Sequence, residues 1–360
     1  MKKYLLLFLL PSFFLLFLVL TLSFYRFLTV PTKVEVIQNL KKTLNSEVYT
    51  AFAAQQLLIT GGAEDILPLT GPSHSWTVFC QENREFLVYK TDRYGFHNND
   101  ALWDIPQWQA AFVGDSFVQG ACVNSEKNFV RVYETQHGTS ANLGSYGNGP
   151  LTQLASLIEY ATAYRPKKVF WIYMQNDLFM DLSLESENEI LKNYLMGQSQ
   201  NLMKRQKVID LKLKSYLKAS EALQQPPTWK FLFRAESFDF LAPVRPHPQS
   251  DLFHQREVNW KLYAEVINKA VEVTHSWNGE FYFVILPSAD MLIEENQKES
   301  RSLQSQLSIL AKRSGASVLD LQEKFQTLHD PLSYYERLPG RYGHFTPQGY
   351  QMVEKFLSTK

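Results

Sequence analysis

Ala110-Ala111-Phe112-Val113-Gly114-Asp115-Ser116-Phe117 is the stretch from which the fold can be read. Four small or apolar residues in a row, stopped by a glycine, predict a short strand buried on both faces. The same pattern repeats along the chain. Asn142-Leu143-Gly144 closes a second short run. Lys168 to Met174 contains Val-Phe-Trp-Ile-Tyr, Glu280 to Leu286 reads Glu-Phe-Tyr-Phe-Val-Ile-Leu, and Ser317 to Leu321 is a fifth run. Between and after these runs the spacing turns helical over Phe129 to Gln136, Leu151 to Tyr164, about 257–275, Leu303 to Arg313 and Pro347 to Leu357. Pro150 before one helix and Gly315 after another are natural helix boundaries. Strands alternating with helices of this length predict parallel βαβ units. The expected architecture is a three-layer α/β/α sandwich on a mainly parallel five-stranded sheet, occupying residues 76–360.

Two segments depart from the alternation. Residues 29–75 carry helical spacing from Val34 to Leu58, then Gly61-Gly62, Pro68, Gly71 and Pro72. They read as a stalk or accessory segment. Residues 185–255 read as a helical insertion, with Leu191 to Leu223 helical and Pro226-Pro227 and Pro243 to Pro248 marking a loop-rich return. Between Lys192 and Lys218 it carries seven basic residues (Lys192, Lys204, Arg205, Lys207, Lys212, Lys214 and Lys218) and only Asp210 as an acid. Such a stretch is either a solvated helix face or a surface for anionic head groups or an acidic glycan.

The N-terminus, residues 1–28, has a different character. Lys2 and Lys3 precede an uncharged run from Tyr4 to Tyr25 rich in Leu and Phe. As a helix this run would be ~33 Å long, enough to cross a hydrocarbon core. Lysines before it predict a transmembrane signal anchor with its N-terminus in the cytoplasm, which places the rest of the chain in a periplasmic or other extracytoplasmic space. A cleaved signal peptide is the alternative, but Phe24-Tyr25-Arg26-Phe27 lacks small residues for cleavage.

Composition excludes some functions. The chain has 360 residues, no net formal charge and 20% charged residues, so no nucleic-acid partner is predicted. Cys80 and Cys122 are its only cysteines. They have no metal-ligand spacing, and neither a metal nor a cofactor is expected. In an exported chain they either form one disulfide or remain two buried thiols. Gly114-Asp115-Ser116 has no Lys-Ser/Thr around it, which argues against a phosphate-binding loop.

Four loop positions carry candidate chemistry. Ser116 follows a buried strand, where ligands bind in open α/β sheets. Asn142-Leu143-Gly144-Ser145-Tyr146-Gly147-Asn148-Gly149 offers glycines that allow backbone to approach a ligand. Asn176, in Tyr173-Met174-Gln175-Asn176-Asp177, can supply a neutral N–H to an oxyanion. His344, in Gly343-His344-Phe345-Thr346-Pro347-Gln348-Gly349-Tyr350, can take a serine's proton.

In this order the four blocks resemble the SGNH/GDSL hydrolase superfamily, over roughly residues 85–183 and 280–358. The resemblance implies the flavodoxin-like fold of that family, Ser116 as nucleophile and His344 as general base. It also implies an oxyanion hole made by the Ser116 and Gly147 backbone N–H groups and the Asn176 side chain. The third block lacks its leading glycine, with Met174 in its place. Asp92-Arg93-Tyr94-Gly95-Phe96 is similar to a stretch found in exported members, some linked to polysaccharide acylation.

The family usually places an aspartate two or three residues before the histidine. Arg341 and Tyr342 occupy those positions here. A backbone carbonyl orienting His344, a substitute acid (Glu336 or Asp330) and loss of activity are the three readings, in that order. The implied activity is ester hydrolysis or O-acyl transfer on an extracytoplasmic glycan or lipid. The alternative is a catalytically silent, membrane-tethered glycan-binding or scaffold protein that keeps the fold.

Overall fold

The computed structural model describes residues 31–62, 65–82, 85–223, 258–293, 297–338 and 341–359, together with four isolated positions between 14 and 21. The expected anchor helix, residues 4–25, lies almost wholly outside the described residues. Among these residues no helix is long and apolar enough to cross a membrane.

Ten strands are described: β1 (Val48–Thr50), β2 (Trp76–Val78), β3 (Val88–Lys90), β4 (Ala110–Val113), β5 (Ser140–Asn142), β6 (Lys168–Tyr173), β7 (Glu280–Ile285), β8 (Ser317–Asp320), β9 (Tyr335–Leu338) and β10 (Arg341–Phe345). The central sheet has the order β5-β4-β6-β7-β8, and every neighbouring pair in it is parallel. This is the 2-1-3-4-5 order of flavodoxin-like doubly wound folds. All five strands expected from the sequence are present.

Alternation along the strands separates two cores. Ala111 and Val113 of β4, with Val169, Trp171 and Tyr173 of β6, belong to one apolar cluster. Ala110 and Phe112, with Phe170 and Ile172, belong to the other. Successive side chains of a strand point to opposite faces, and here both faces are covered. Helices Pro150–Ser156 and Trp260–His275 contribute Leu151, Leu154, Tyr263 and Ile267 to the first core. Phe129–His137 and Pro347–Leu357 contribute Phe129, Tyr133, Tyr350 and Val353 to the second. The α/β/α layering is therefore a packing consequence of strands that are apolar on both sides.

The N-terminal segment does not stand apart as a stalk. β1 pairs in parallel with β2, which pairs antiparallel with β3, so a boundary at residue 75 falls inside one small sheet. Tyr49, Phe52, Leu57, Ile66, Leu67 and Leu69 lie in the first core alongside Trp171 and Tyr173. The insertion is not one helix either. Glu189–Lys192 ends in a short 3₁₀ turn at Gly197, and the long helix spans Gln206–Leu223. Part of its basic face is committed within the molecule. Lys214 and Lys218 pair with Glu47, and the Lys212 ammonium donates to the Ile66 carbonyl at 3.0 Å. The Asp210 carboxylate accepts from the Ser73 backbone N–H and hydroxyl at 2.9 and 2.7 Å. The helix thus clamps the N-terminal segment onto the sheet.

If residues 48–69 are core rather than appendage, truncating Phe52, which is 2% exposed, should behave as a core truncation. Phe52→Ala is expected to lower the unfolding free energy in urea by about 3–5 kcal/mol. A loss below about 1 kcal/mol would show that the segment packs only peripherally.

Candidate active site

β4 ends at Val113, and the chain turns sharply into a single helical turn, Ser116–Gln119. Asp115 caps this turn: its carboxylate accepts from the Phe117 backbone N–H at 2.9 Å. The serine is thereby fixed at the first helical position, just outside the carboxyl end of the sheet. Sheet order reverses between β4 and β6, which is the switch point where such folds bind ligands. Ser116 follows the first of these strands and Asn176 the second.

His344 reaches this rim from β10, the second strand of an antiparallel hairpin with β9. Its Nε2 lies 2.9 Å from Ser116 Oγ, and its ring packs against Phe117 with centroids 4.7 Å apart. The other side of the ring meets Glu82, which the sequence reading did not consider. Glu82 Oε1 lies 2.8 Å from His344 Nδ1, and Glu82 Oε2 accepts from the His344 backbone N–H at 2.7 Å. One carboxylate therefore holds both the ring and the strand that carries it.

This arrangement corrects three expectations. The group at Nδ1 is a carboxylate, not a backbone carbonyl. It is neither Glu336 nor Asp330. Glu336 lies on β9, where burial and the Glu82 charge push its carboxyl up. Asp330 precedes the short 3₁₀ turn Pro331–Tyr334, and its backbone carbonyl accepts from Ser333. The acid at Nδ1 comes instead from Glu82, 262 positions earlier in the chain.

Two local features make room for Glu82. Cys80 and Cys122 form a disulfide, with Cα atoms 5.0 Å apart, and the Glu82 backbone N–H lies 3.3 Å from Cys122 Sγ. The bridge ties the loop after β2 to the segment just beyond the serine's helical turn. Gly343 supplies the space on the opposite side. A Cβ at that position would lie 2.3 Å from Glu82 Oε2, so only glycine lets the carboxylate approach so closely. Burial would raise the Glu82 carboxyl, but hydrogen bonds to His344, its charge and that of Arg341 outweigh burial and hold it below the usual range. The carboxylate is therefore ionised where it touches the imidazole.

The predicted oxyanion donors lie on the same rim. The loop after β5 is drawn against the serine turn by a 3.3 Å hydrogen bond from the Ser145 backbone N–H to the Gly114 carbonyl. Gly147 in that loop has φ +69°, a left-handed conformation that favours glycine. The Asn176 amide donates to Asp181 Oδ2 at 2.6 Å and approaches Asp115 Oδ2 at 3.4 Å. Asn176 and His344 line one cavity of about 260 Å³, with Phe117, Met174, Phe179 and Tyr342 among its apolar walls.

The Asp92–Phe96 stretch acts from behind the site. The Asp92 carboxylate accepts from the backbone N–H groups of Tyr94 and Phe96 and from the Asn98 amide. Asn98 in turn closes on β5: it accepts from the Asn142 N–H at 2.8 Å and donates to the Asn142 carbonyl at 2.9 Å. Next to it, His97 meets the Gln119 carbonyl at 2.9 Å and Ser125 Oγ at 2.7 Å. These contacts brace the far end of the serine's helical turn and the edge strand beside it.

Comparison with known proteins gives fold-level likeness only. No family model matches the chain, and no curated protein sequence does. Similar solved structures include a member of the lipolytic G-D-S-L family from Veillonella parvula, with 13% identity over 69% of this chain and 95% of that one, at a TM-score of 0.37. An acetyl xylan esterase has 12% identity over 69% and 98%, at 0.39. A catalytic mutant of an acetylxylan esterase from Geobacillus stearothermophilus has 12% over 69% and 92%, at 0.38. At these values the case for the site is its own geometry.

Buried carboxyls surround the rim, and their titration has a testable sign. Burial pushes Asp181 up to about 6 and Glu185 up to about 8, and it raises Asp177 well above the ordinary range. A carboxyl with a raised pKa binds its proton more tightly in the folded state, so stability falls as pH rises through the interval between the unfolded and folded values. Burial also depresses His97 to about 4, which works in the opposite direction but is complete above about pH 6.5, the ordinary histidine value. Between about pH 6.5 and 8 the Glu185 carboxyl dominates. The melting temperature measured by calorimetry is expected to decline across that window; a flat or rising profile would contradict these protonation states.

Proposed function

We propose that this chain is a serine-dependent esterase or O-acyltransferase, with Ser116 as nucleophile, His344 as general base and Glu82 as the acid that orients it. The observation that carries the reading is the continuous hydrogen-bonded line Ser116–His344–Glu82, with contacts of 2.9 and 2.8 Å. A nucleophile, a base within reach and a third group orienting the base form the general signature of covalent acyl transfer.

In the proposed cycle Ser116 Oγ attacks an ester carbonyl while His344 Nε2 takes its proton. Glu82 fixes Nδ1–H and stabilises the imidazolium that forms. The negative charge on the carbonyl oxygen is met by the Ser116 and Gly147 backbone N–H groups and the Asn176 amide. The tetrahedral intermediate collapses, His344 returns the proton to the departing alkoxide, and the acyl group stays on Ser116. Water or a sugar hydroxyl then attacks the acyl carbonyl while His344 takes its proton; the bond from the carbonyl to Ser116 Oγ breaks, and His344 returns the proton to Ser116. Water gives hydrolysis and a sugar hydroxyl gives transfer.

The cavity beside His344 supports a short acyl group. At about 260 Å³ it lies below the ~300–1,000 Å³ typical of drug-sized ligands. The disulfide supports an oxidising, extracytoplasmic setting, as does the apolar run before residue 26. The proposed substrate is an ester-bearing glycan or lipid of that compartment, and the proposed membrane association is through the N-terminal helix. The silent-scaffold alternative drew on the missing acid, and Glu82 removes that motive.

A fluorophosphonate probe should label residues 30–360 covalently at one serine, detected by mass shift and peptide mapping. Labelling of Ser116→Ala at the wild-type rate would refute the assignment of the nucleophile.

Glu82→Gln keeps the size of the side chain but removes the charge that holds the tautomer. By analogy with serine proteases, turnover of 4-nitrophenyl acetate should fall by up to about 10⁴-fold. The same loss is not expected for Glu336→Gln or Asp330→Asn. If either of those matched Glu82→Gln, the acid has been misassigned.

A further inference from the structure

Asn176 is the one oxyanion donor supplied by a side chain, and an amide has two ends. Only its NH₂ end can donate, so something has to prevent the flipped orientation. Asp181 does this. Its Oδ2 accepts from Asn176 Nδ2 at 2.6 Å, and its Oδ1 accepts from Gln55 Nε2 at 2.7 Å. Asp181 is 4% exposed. Burial raises its carboxyl to about 6, against the pull of the Gln55 and Asn176 hydrogen bonds. At pH 8 it is therefore an acceptor on both oxygens, and both amides must present nitrogen to it.

Gln55 does not come from the hydrolase sheet. It belongs to the helix Ala54–Thr60, immediately after β1, in the segment that read as a stalk. The same segment covers the other predicted donor. A Cβ on Gly147 would lie 3.1 Å from Ala53 Cβ and 3.5 Å from Gln55 Oε1. Asp181 itself closes the turn Asp177–Asp181 that follows Asn176. Two residues remote in sequence thus converge on the orientation of one amide.

We infer that Gln55 and Asp181 are positioning residues for the oxyanion hole, acting through Asn176, so that residues 53–55 complete the active site. The inference rests on the assignment of Asn176 as an oxyanion donor in the proposed function. A neutral amide at position 181 would offer a donor as well as an acceptor. The line of hydrogen bonds could then reverse, and Asn176 would turn its oxygen towards the developing negative charge. Loss of Gln55 leaves Asp181 half-satisfied and free to rotate.

The test is a double-mutant cycle on the full chain at pH 8, read as the rate and affinity constants for fluorophosphonate labelling of Ser116, with thermal melting as a control for folding. Asn176→Ala is expected to slow the covalent step by about 10²–10³-fold, the usual loss for one oxyanion donor. Gln55→Ala should slow it by about tenfold, within the range of couplings between contacting residues, with the affinity constant little changed. Asp181→Asn should approach the Asn176→Ala loss. In the Asn176→Ala background, Gln55→Ala and Asp181→Asn should have no further effect.

If Gln55→Ala slows the covalent step equally in both backgrounds, or not at all while Asn176→Ala does, the inference is overturned and the proposed function stands. If Ser116→Ala labels normally, or Asn176→Ala labels as fast as wild type, the underlying reading of the site fails. If Gln55→Ala lowers the melting temperature and shifts the affinity constant rather than the covalent rate, its role is structural and the inference also falls.

Discussion

The Glu82–His344 contact is the constraint around which the site is built. A carboxylate taken out of water is costly unless it is paired and its remaining lone pairs are satisfied. Glu82 meets that demand with one residue, using one oxygen for the imidazole Nδ1 and the other for the same residue's backbone N–H. The second bond matters as much as the first. A ring-only contact would not tie the β10 backbone to the loop after β2. The bidentate contact fixes strand and ring together, so the Ser116–His344 distance follows from the backbone. Gly343 and the Cys80–Cys122 bridge are the sequence consequences of that contact, one by vacating space and one by holding the loop in place.

The carboxyls on the two sides of Ser116 are set differently. On the histidine side, Glu82 is held below the usual range by its partner, which suits the imidazolium-stabilising role proposed for it. On the oxyanion side, burial shifts Asp115 and Asp177 upward. Pairs of titratable groups whose environments drive their pKa values apart commonly mark separate roles in catalysis. Here the division runs along the line between β10 and β6, with the serine at its centre.

How much of this was legible in the sequence depends on the distance over which each feature is encoded. β4 and Ser116 are written in eight consecutive residues, and Asn176 and His344 each sit in a block of similar size. The placement of Ser116 and Asn176 at the carboxyl edge of the sheet follows from the strand pattern, whereas His344, expected in a loop, lies on the unforeseen hairpin strand β10. Glu82 is 262 positions from its partner and lies in no periodic element, so nothing local marks it. The available hints were indirect: a glycine directly before His344, and a cysteine two residues before Glu82 whose only possible partner follows Ser116 by six. β1, β2 and β3 have three residues each, too short for alternation to register, so the N-terminal segment read as a stalk. Its apolar residues carried the necessary information, because Phe52, Leu57 and Leu67 are buried in a way that a free stalk could not support.

The disulfide links this geometry to chemistry outside the site. A bridge closing a loop of this kind acts mainly by limiting the states open to the unbridged chain. The loop it limits here is the one that delivers the acid. In a reducing compartment two thiols would replace the bridge. Glu82 would then be positioned by its own hydrogen bonds to His344, while its desolvation cost would remain. The apolar run at the N-terminus and the disulfide, although far apart in the chain, both favour the extracytoplasmic setting proposed for the site.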